Sequence, residues 1–172
     1  MQKILIVVDM QNDFVDGALG TPEAVAIVPR VEQKIREFPG KVIFTRDTHG
    51  ERYLETQEGK HLPVPHCIKG TKGWEICPQL EALREAEAID KVTFGSEKLG
   101  ELLQEENRKE QIEDITLVGL CTDICVISNA LLLKAFLPEV PIMVDSLCCA
   151  GVTPERHERA LEAMKACQIE VL

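Results

Sequence analysis

Six short apolar runs, most of them separated by stretches of helical periodicity, constrain this chain more than any other feature. They fall at residues 3–8, 41–46, 88–92, 115–118, 141–145 and 168–172. Ile4 to Val8 are five consecutive apolar residues, too few for an ordinary helix and the length of a strand buried on both faces. Between the runs lie helical patterns. One covers 23–37, with Val25, Val28, Val31 and Ile35 on one side and Pro29 marking a kink or a later start. Another covers 97–111, with Leu99, Leu102 and Leu103 apolar and the opposite face charged. A third, 126–136, is the most apolar helix candidate and is expected to be covered on most sides, partly by another subunit. A fourth opens on Thr153 as N-cap with Pro154 in the first turn and runs to about 167. A short helix around Leu80 and Leu83 is expected within 74–87, and no regular element between 50 and 71.

Strands alternating with helices at this spacing predict an α/β fold, a single doubly wound domain over residues 1–172. Its sheet has about six mostly parallel strands, with helices on both faces. A chain of 172 residues is long enough for one full core. Its net charge of −10 argues against a nucleic-acid surface or a polybasic membrane patch. The seven cysteines are odd in number, and the opening Met1-Gln2-Lys3 runs into an apolar stretch too short for a secretory signal or a membrane span. Free thiols in the cytoplasm are therefore expected, with Cys148, Cys149 and Cys167 as packing residues.

In such sheets ligands gather at the carboxyl ends of the strands. Four reactive clusters fall there: Asp9, Asp47 with His49, Lys91, and the turn Cys121-Thr122-Asp123-Ile124-Cys125. Cys125 opens a helix, where free amides and the helix dipole favour a thiolate, although a buried cysteine serving as a small hydrophobe fits the local sequence equally well. A cysteine nucleophile needs a base or a positive neighbour, and Asp9 and Lys91 are the candidates. Asp47, His49 and His66 form a plausible site for a divalent metal (zinc, iron or manganese), which Glu58 could complete. His61 is expected to be a loop residue and His157 a solvated helix residue.

Several motifs carry a family likeness: Asp9-Met10-Gln11-Asn12-Asp13-Phe14, Gly17-Ala18-Leu19, Thr45-Arg46-Asp47-Thr48-His49, His66-Cys67 with Gly70-Thr71 and Gly73, Lys91, and Gly119 to Val126. Together they closely resemble the isochorismatase-like cysteine hydrolases, and most of all their nicotinamidase (pyrazinamidase) branch, from Lys3 to about Val152. The resemblance implies a catalytic triad of Asp9, Lys91 and Cys125, a cis peptide between Leu120 and Cys121, and an oxyanion hole from the Cys121 and Cys125 amides. It implies Asp47, His49 and His66 as ligands of a zinc-like divalent metal that holds the pyridine nitrogen of the substrate, with Glu58 as an additional ligand. Phe14 is one expected wall of the ring pocket and Trp74 a candidate second wall.

The activity so implied is hydrolysis of nicotinamide to nicotinate and ammonia through a Cys125 thioester, by an enzyme of NAD salvage. Its partners would be a small-molecule amide and further copies of itself, with no nucleic acid and no membrane. The segment Val92-Thr93-Phe94-Gly95-Ser96 is shorter than the corresponding nicotinamidase stretch, which leaves another small amide, carbamoyl or ureido compound as the alternative substrate. A non-enzymatic zinc or redox module built on Cys67, Cys121 and Cys125 is the alternative from another class.

Overall fold

The computed structural model describes residues 1–172. Six strands form one sheet: β1 (Gln2–Val8), β2 (Lys41–Asp47), β3 (Ile89–Lys91), β4 (Ile112–Leu120), β5 (Ile142–Ala150) and β6 (Glu170–Val171). Their order is β3-β2-β1-β4-β5-β6, and every pairing is parallel. Because β1 is central, Ile4 to Val8 are all fully buried, which is why this strand reads as an unbroken apolar run.

Alternation along β1 splits the core. Ile4, Ile6 and Val8 pack on one face with Leu99 and Leu103 of α5 (Glu97–Lys109), Leu133 of α6 (Ile127–Phe136) and Met164 of α7 (Pro154–Ala166). Leu5 and Val7 pack on the other with Phe14 of α1 (Asn12–Val15), Val31 of α2 (Pro22–Glu37) and Leu80 of α4 (Pro78–Glu81). Each such side chain, fully buried, contributes about 1.5–3 kcal/mol of transfer free energy. The long helices start where their caps dictate. The Thr21, Ser96 and Thr153 hydroxyls accept from the amides of Ala24, Leu99 and Arg156, at 3.0, 3.1 and 3.2 Å.

The structure departs from the sequence reading in several places. Pro29 neither starts nor ends α2, which runs unbroken from Pro22. The stretch 50–71 contains a 3₁₀ turn at Tyr53–Glu55 and a short helix α3 (Gln57–His61), started by a Thr56 hydroxyl that caps Gly59. Of the helix expected within 74–87, only the turn of α4 forms. Strand β5 continues to Ala150, past an irregularity in its pairing with β4 and past Asp145 and Ser146, which break the apolar run. Cys148 and Cys149 are buried, but Cys167 is exposed at the end of α7. Thr122–Val126 form a π-helical turn ahead of α6.

The register gathers polar groups along one edge. Asp47 lies opposite Lys91 across β2 and β3. Val8, just before Asp9, lies opposite Gly119 across β1 and β4. Between these two strands the winding reverses direction, which is where open α/β sheets leave a crevice. Two residues shape that crevice. Gly119 has φ +116°, and a Cβ there would lie 2.2 Å from the Val8 carbonyl oxygen, so only glycine fits. Asp9 has φ +48°, a left-handed conformation that aspartate tolerates better than most residues, and it turns the chain out of the strand.

Candidate active site

Asp9, Lys91 and Cys125 meet at the carboxyl edge and are all buried. Lys91 Nζ lies 2.6 Å from Asp9 Oδ2 and 3.3 Å from Cys125 Sγ, and it also donates to the Thr93 carbonyl at 3.1 Å. The other Asp9 oxygen accepts from the Thr45 hydroxyl at 2.7 Å. Asp9 Oδ2, ion-paired to Lys91, takes no bond from any other donor and keeps lone pairs free inside the site.

Electrostatics follow from that burial. Desolvation, with Asp9 beside it, pushes the Cys125 thiol well above its ordinary range despite the opposing effect of Lys91. Burial also raises Asp9, against the pull of the Lys91 ammonium. For Lys91, burial favours the neutral amine, but Asp9, Cys125 and Asp47 together outweigh it and hold the ammonium charged. The arrangement sets a thiol and a carboxyl group on either side of one ammonium, which is placed to hold a thiolate.

Leu120–Cys121 is a cis peptide bond. The Cys121 carbonyl accepts from the amides of Ile124 and Val126, whereas the Cys121 N–H finds no acceptor in the protein. The turn is tied from behind. The Thr122 hydroxyl lies 2.7 Å from His157 Nδ1, and Asp123 accepts from the Val152 amide at 3.0 Å and pairs with Arg156 at 2.6 Å. His157 is therefore half-buried and bonded to the cysteine turn, rather than the solvated residue that its charged surroundings in sequence suggest.

Beside this trio, Asp47, His49, Glu58 and His66 bring four ligand atoms within 4.8 Å of one another. His49 Nε2 lies 2.9 Å from Asp47 Oδ2 and 3.6 Å from Glu58 Oε1. His66 Nε2 lies 3.6 and 3.7 Å from the same two oxygens. His66 Nδ1 donates to the Val64 carbonyl at 2.8 Å, which leaves the Nε2 lone pair facing the cluster, the orientation a metal-binding imidazole needs. Burial raises the Asp47 carboxyl, but His49, His66 and the Lys91 ammonium beside it more than reverse this and hold it well below the usual range. Two imidazoles and two carboxylates around one point suit a divalent metal, and α3 is what delivers Glu58 to them.

A cavity of about 590 Å³ joins the two groups, reaching Cys125 as well as Asp47, Glu58 and His66. Its apolar wall includes Phe14, Leu19, Phe94, Leu120, Ile124 and Val152. Phe14 stands 5.4 Å from the His66 ring, centroid to centroid. Trp74 is not part of the wall. Arg46 stacks over its ring at 3.9 Å and its indole N–H donates to Thr48, so it braces the segment behind the ligands. His61, expected as a plain loop residue, sits at the end of α3 and lines the cavity.

Sequence reasoning missed Gln11, which bonds the Asp47 backbone, and Tyr53, whose buried ring meets His49 and His66 edge-on at 4.7 and 5.0 Å. Tyr53 is the chain's one tyrosine and lies in a stretch without periodicity, a weak signal that its position between candidate ligands could have strengthened.

Fold and site define the class: a doubly wound α/β protein with a buried thiol beside a carboxyl group and an ammonium. The chain belongs to the isochorismatase domain family, whose model matches residues 3–172. The nicotinamidase/pyrazinamidase of Mycobacterium tuberculosis is 27% identical over 99% of this chain and 98% of its own length. Among solved structures, the pyrazinamidase of Pyrococcus horikoshii in complex with zinc is 30% identical, with a TM-score of 0.82 over 100% of this chain and 99% of that one. The nicotinamidase of Bacillus subtilis is 31% identical, with a TM-score of 0.80 over 99% of both chains.

Proposed function

We propose that this protein is a metal-dependent nicotinamidase that hydrolyses nicotinamide to nicotinate and ammonia. One observation carries the reading: Cys125 of the buried Asp9–Lys91–Cys125 trio and Asp47, Glu58 and His66 of the four-ligand group line the same largely apolar cavity. The names of the relatives support it.

Asp9 takes the proton of Cys125, and the Lys91 ammonium holds the thiolate that forms. The thiolate attacks the carboxamide carbon, and the charge on the carboxamide oxygen is held by the amides of Cys121 and Cys125. Each such donor is worth about 2.7–4 kcal/mol of barrier. Asp9 returns its proton to the leaving nitrogen, ammonia departs, and a thioester remains on Cys125. Asp9 then takes a proton from water, whose oxygen attacks the thioester; the C–S bond breaks, the carboxylic acid leaves, and the proton on Asp9 returns to the Cys125 thiolate. Phe14 packs against the ring of the substrate. Asp47, His49, His66 and Glu58 would hold the metal, for which the zinc-bound pyrazinamidase of Pyrococcus horikoshii supports zinc, and its Lewis acidity would anchor the pyridine nitrogen.

The remaining attributes belong to the same reading. No helix is long and apolar enough to cross a membrane. The seven unpaired cysteines fit a reducing cytoplasm. Helix α6 leaves Leu131 exposed and Ile127 half-exposed, which fits a homo-oligomer.

Ammonia release by the purified protein tests the reading, measured with nicotinamide, pyrazinamide and a panel of carbamoyl and ureido compounds, before and after chelation. Nicotinamide should be turned over, and Cys125→Ala should abolish turnover while the fold persists. Turnover of a ureido compound with none of nicotinamide would refute the proposed substrate and leave the cysteine chemistry standing.

A further inference from the structure

The pairing of β1 with β2 stops before it reaches the site. Its last registered pair is Val7 with Phe44, and a final bond joins the Asp9 amide to the Thr45 carbonyl at 3.3 Å. At Asp9 the chain turns away, φ +48°, while β2 continues to Asp47. On its other side β2 is still paired, with Asp47 opposite Lys91 and the Thr48 amide donating to the Lys91 carbonyl at 2.9 Å. The Asp47 N–H and C=O point the other way, toward the space β1 has left. Both are deep in the protein, and an unpaired buried backbone group costs about 1–3 kcal/mol.

Gln11 fills that space. Its side-chain oxygen accepts from the Asp47 amide at 2.7 Å, and its side-chain nitrogen donates to the Asp47 carbonyl at 2.8 Å. The same nitrogen donates to the Trp74 carbonyl at 2.8 Å. Gln11 is fully buried, so no water competes for these bonds. Its carboxamide presents the donor and acceptor pair that a neighbouring strand would present, and so extends the β1–β2 ladder by one side chain.

We infer that Gln11 is a positioning residue for the metal group and acts through the backbone of Asp47. The inference rests on the metal reading above. Asp47 Oδ2 faces His49 and His66, so a shift of the Asp47 backbone moves the carboxylate that stands nearer than Glu58 to both imidazoles. The requirement is chemical as well as steric. Glutamate has the same shape, but as a carboxylate it places an oxygen against the Asp47 and Trp74 carbonyls and donates to neither. Methionine fills a similar volume and offers neither bond.

The test is zinc affinity by competition with a chelator, for the wild-type protein, Gln11→Glu and Gln11→Met. Both variants should bind zinc about ten- to a hundredfold more weakly, the usual effect of losing an outer-shell partner. A negative charge added near a cation site would by itself tighten binding, so weaker binding by Gln11→Glu reports geometry. Hydrogen exchange in the metal-free wild-type protein gives a second reading that needs no variant, since the Asp47 amide should be protected. Unchanged zinc affinity in folded variants, or an Asp47 amide that exchanges like that of an unstructured chain, overturns the inference alone. A wild-type protein that binds no zinc overturns the metal reading, and the inference with it.

Discussion

The Lys91 ammonium lies 3.5 Å from Asp47 Oδ1, while the other oxygen of that carboxylate faces His49 and His66. One side chain therefore borders both the thiol group and the metal-like group. Asp47 stays ionised under pull from both sides: its carboxyl is held low by the histidines and by Lys91 once burial has been overcome. The register of β2 against β3 sets this relationship, and the short β3 strand exists in effect to deliver Lys91 to it.

Lys91 and Asp9 form a buried ion pair, and removing one partner leaves the other charge without compensation. Lys91→Met should abolish amidase activity and destabilise the protein by about 3–5 kcal/mol in urea unfolding. The double variant Asp9→Asn/Lys91→Met should recover much of that stability and none of the activity. A single variant as stable as wild type would mean that Asp9 and Lys91 are not both ionised in the folded protein.

Alkaline pH should destabilise the metal-free protein through its buried thiols. Burial pushes Cys77 and Cys148 up to about 11 and Cys121 up to about 12, and raises Cys125, Cys67 and Cys149 as well. A group with a raised folded-state pKa gives its full stabilisation below its unfolded pKa, about 8.5 for a thiol, and loses it as pH rises toward the folded value. Each buried thiol then removes up to about 1.4 kcal/mol per pH unit within that window. Urea unfolding between pH 7 and 10 should show the decline, and Cys125→Ser should lessen its slope by one thiol's share. A flat profile would show that these thiols are not shielded from water.

How much of this could be read from the sequence depended on how local each signal was. The strands were legible because β1 and its neighbours are buried on both faces, so their runs are continuous. Asp9, Asp47 and Lys91 were legible because each lies at a strand end, and Cys125 because it lies in the turn that follows one; topology alone then brings these together. Their roles came from the family likeness. Gln11, Tyr53 and His157 act through long-range contacts, to Asp47, to two histidine rings and to Thr122, that no local pattern encodes. Trp74 reads as a ring-pocket wall by proximity to His66, but Arg46 and Thr48 hold it elsewhere.

Metal removal should separate activity from folding. Apart from the His66–Phe14 contact, the ligand group borders the main core rather than filling it, and both core clusters form without it. The chelated protein should keep its far-ultraviolet circular dichroism, lose turnover of nicotinamide, and regain it on adding zinc. His66→Ala should fold and resist that rescue. Full turnover after verified removal of metal would assign the four ligands a purely structural role.

The last prediction concerns the back of the cysteine turn. The Thr122 hydroxyl and His157 Nδ1 lie 2.7 Å apart and join that turn to the start of α7. Thr122 is fully buried and stands three residues before the nucleophile, so the bond fixes the turn that aims the thiol. Thr122→Val keeps the shape and removes the bond, leaving the imidazole nitrogen without its partner. The expected cost is about 1 kcal/mol of stability, the net value of one such bond. If the turn also shifts, kcat should fall by up to about tenfold, equivalent to about 1.4 kcal/mol of barrier, with KM nearly unchanged because the ring pocket is untouched. Alkylation of Cys125 by iodoacetamide should slow or quicken in the same variant, while zinc affinity stays at its wild-type value. A variant that loses stability but keeps kcat and the alkylation rate would reduce the Thr122–His157 bond to an ordinary packing contact.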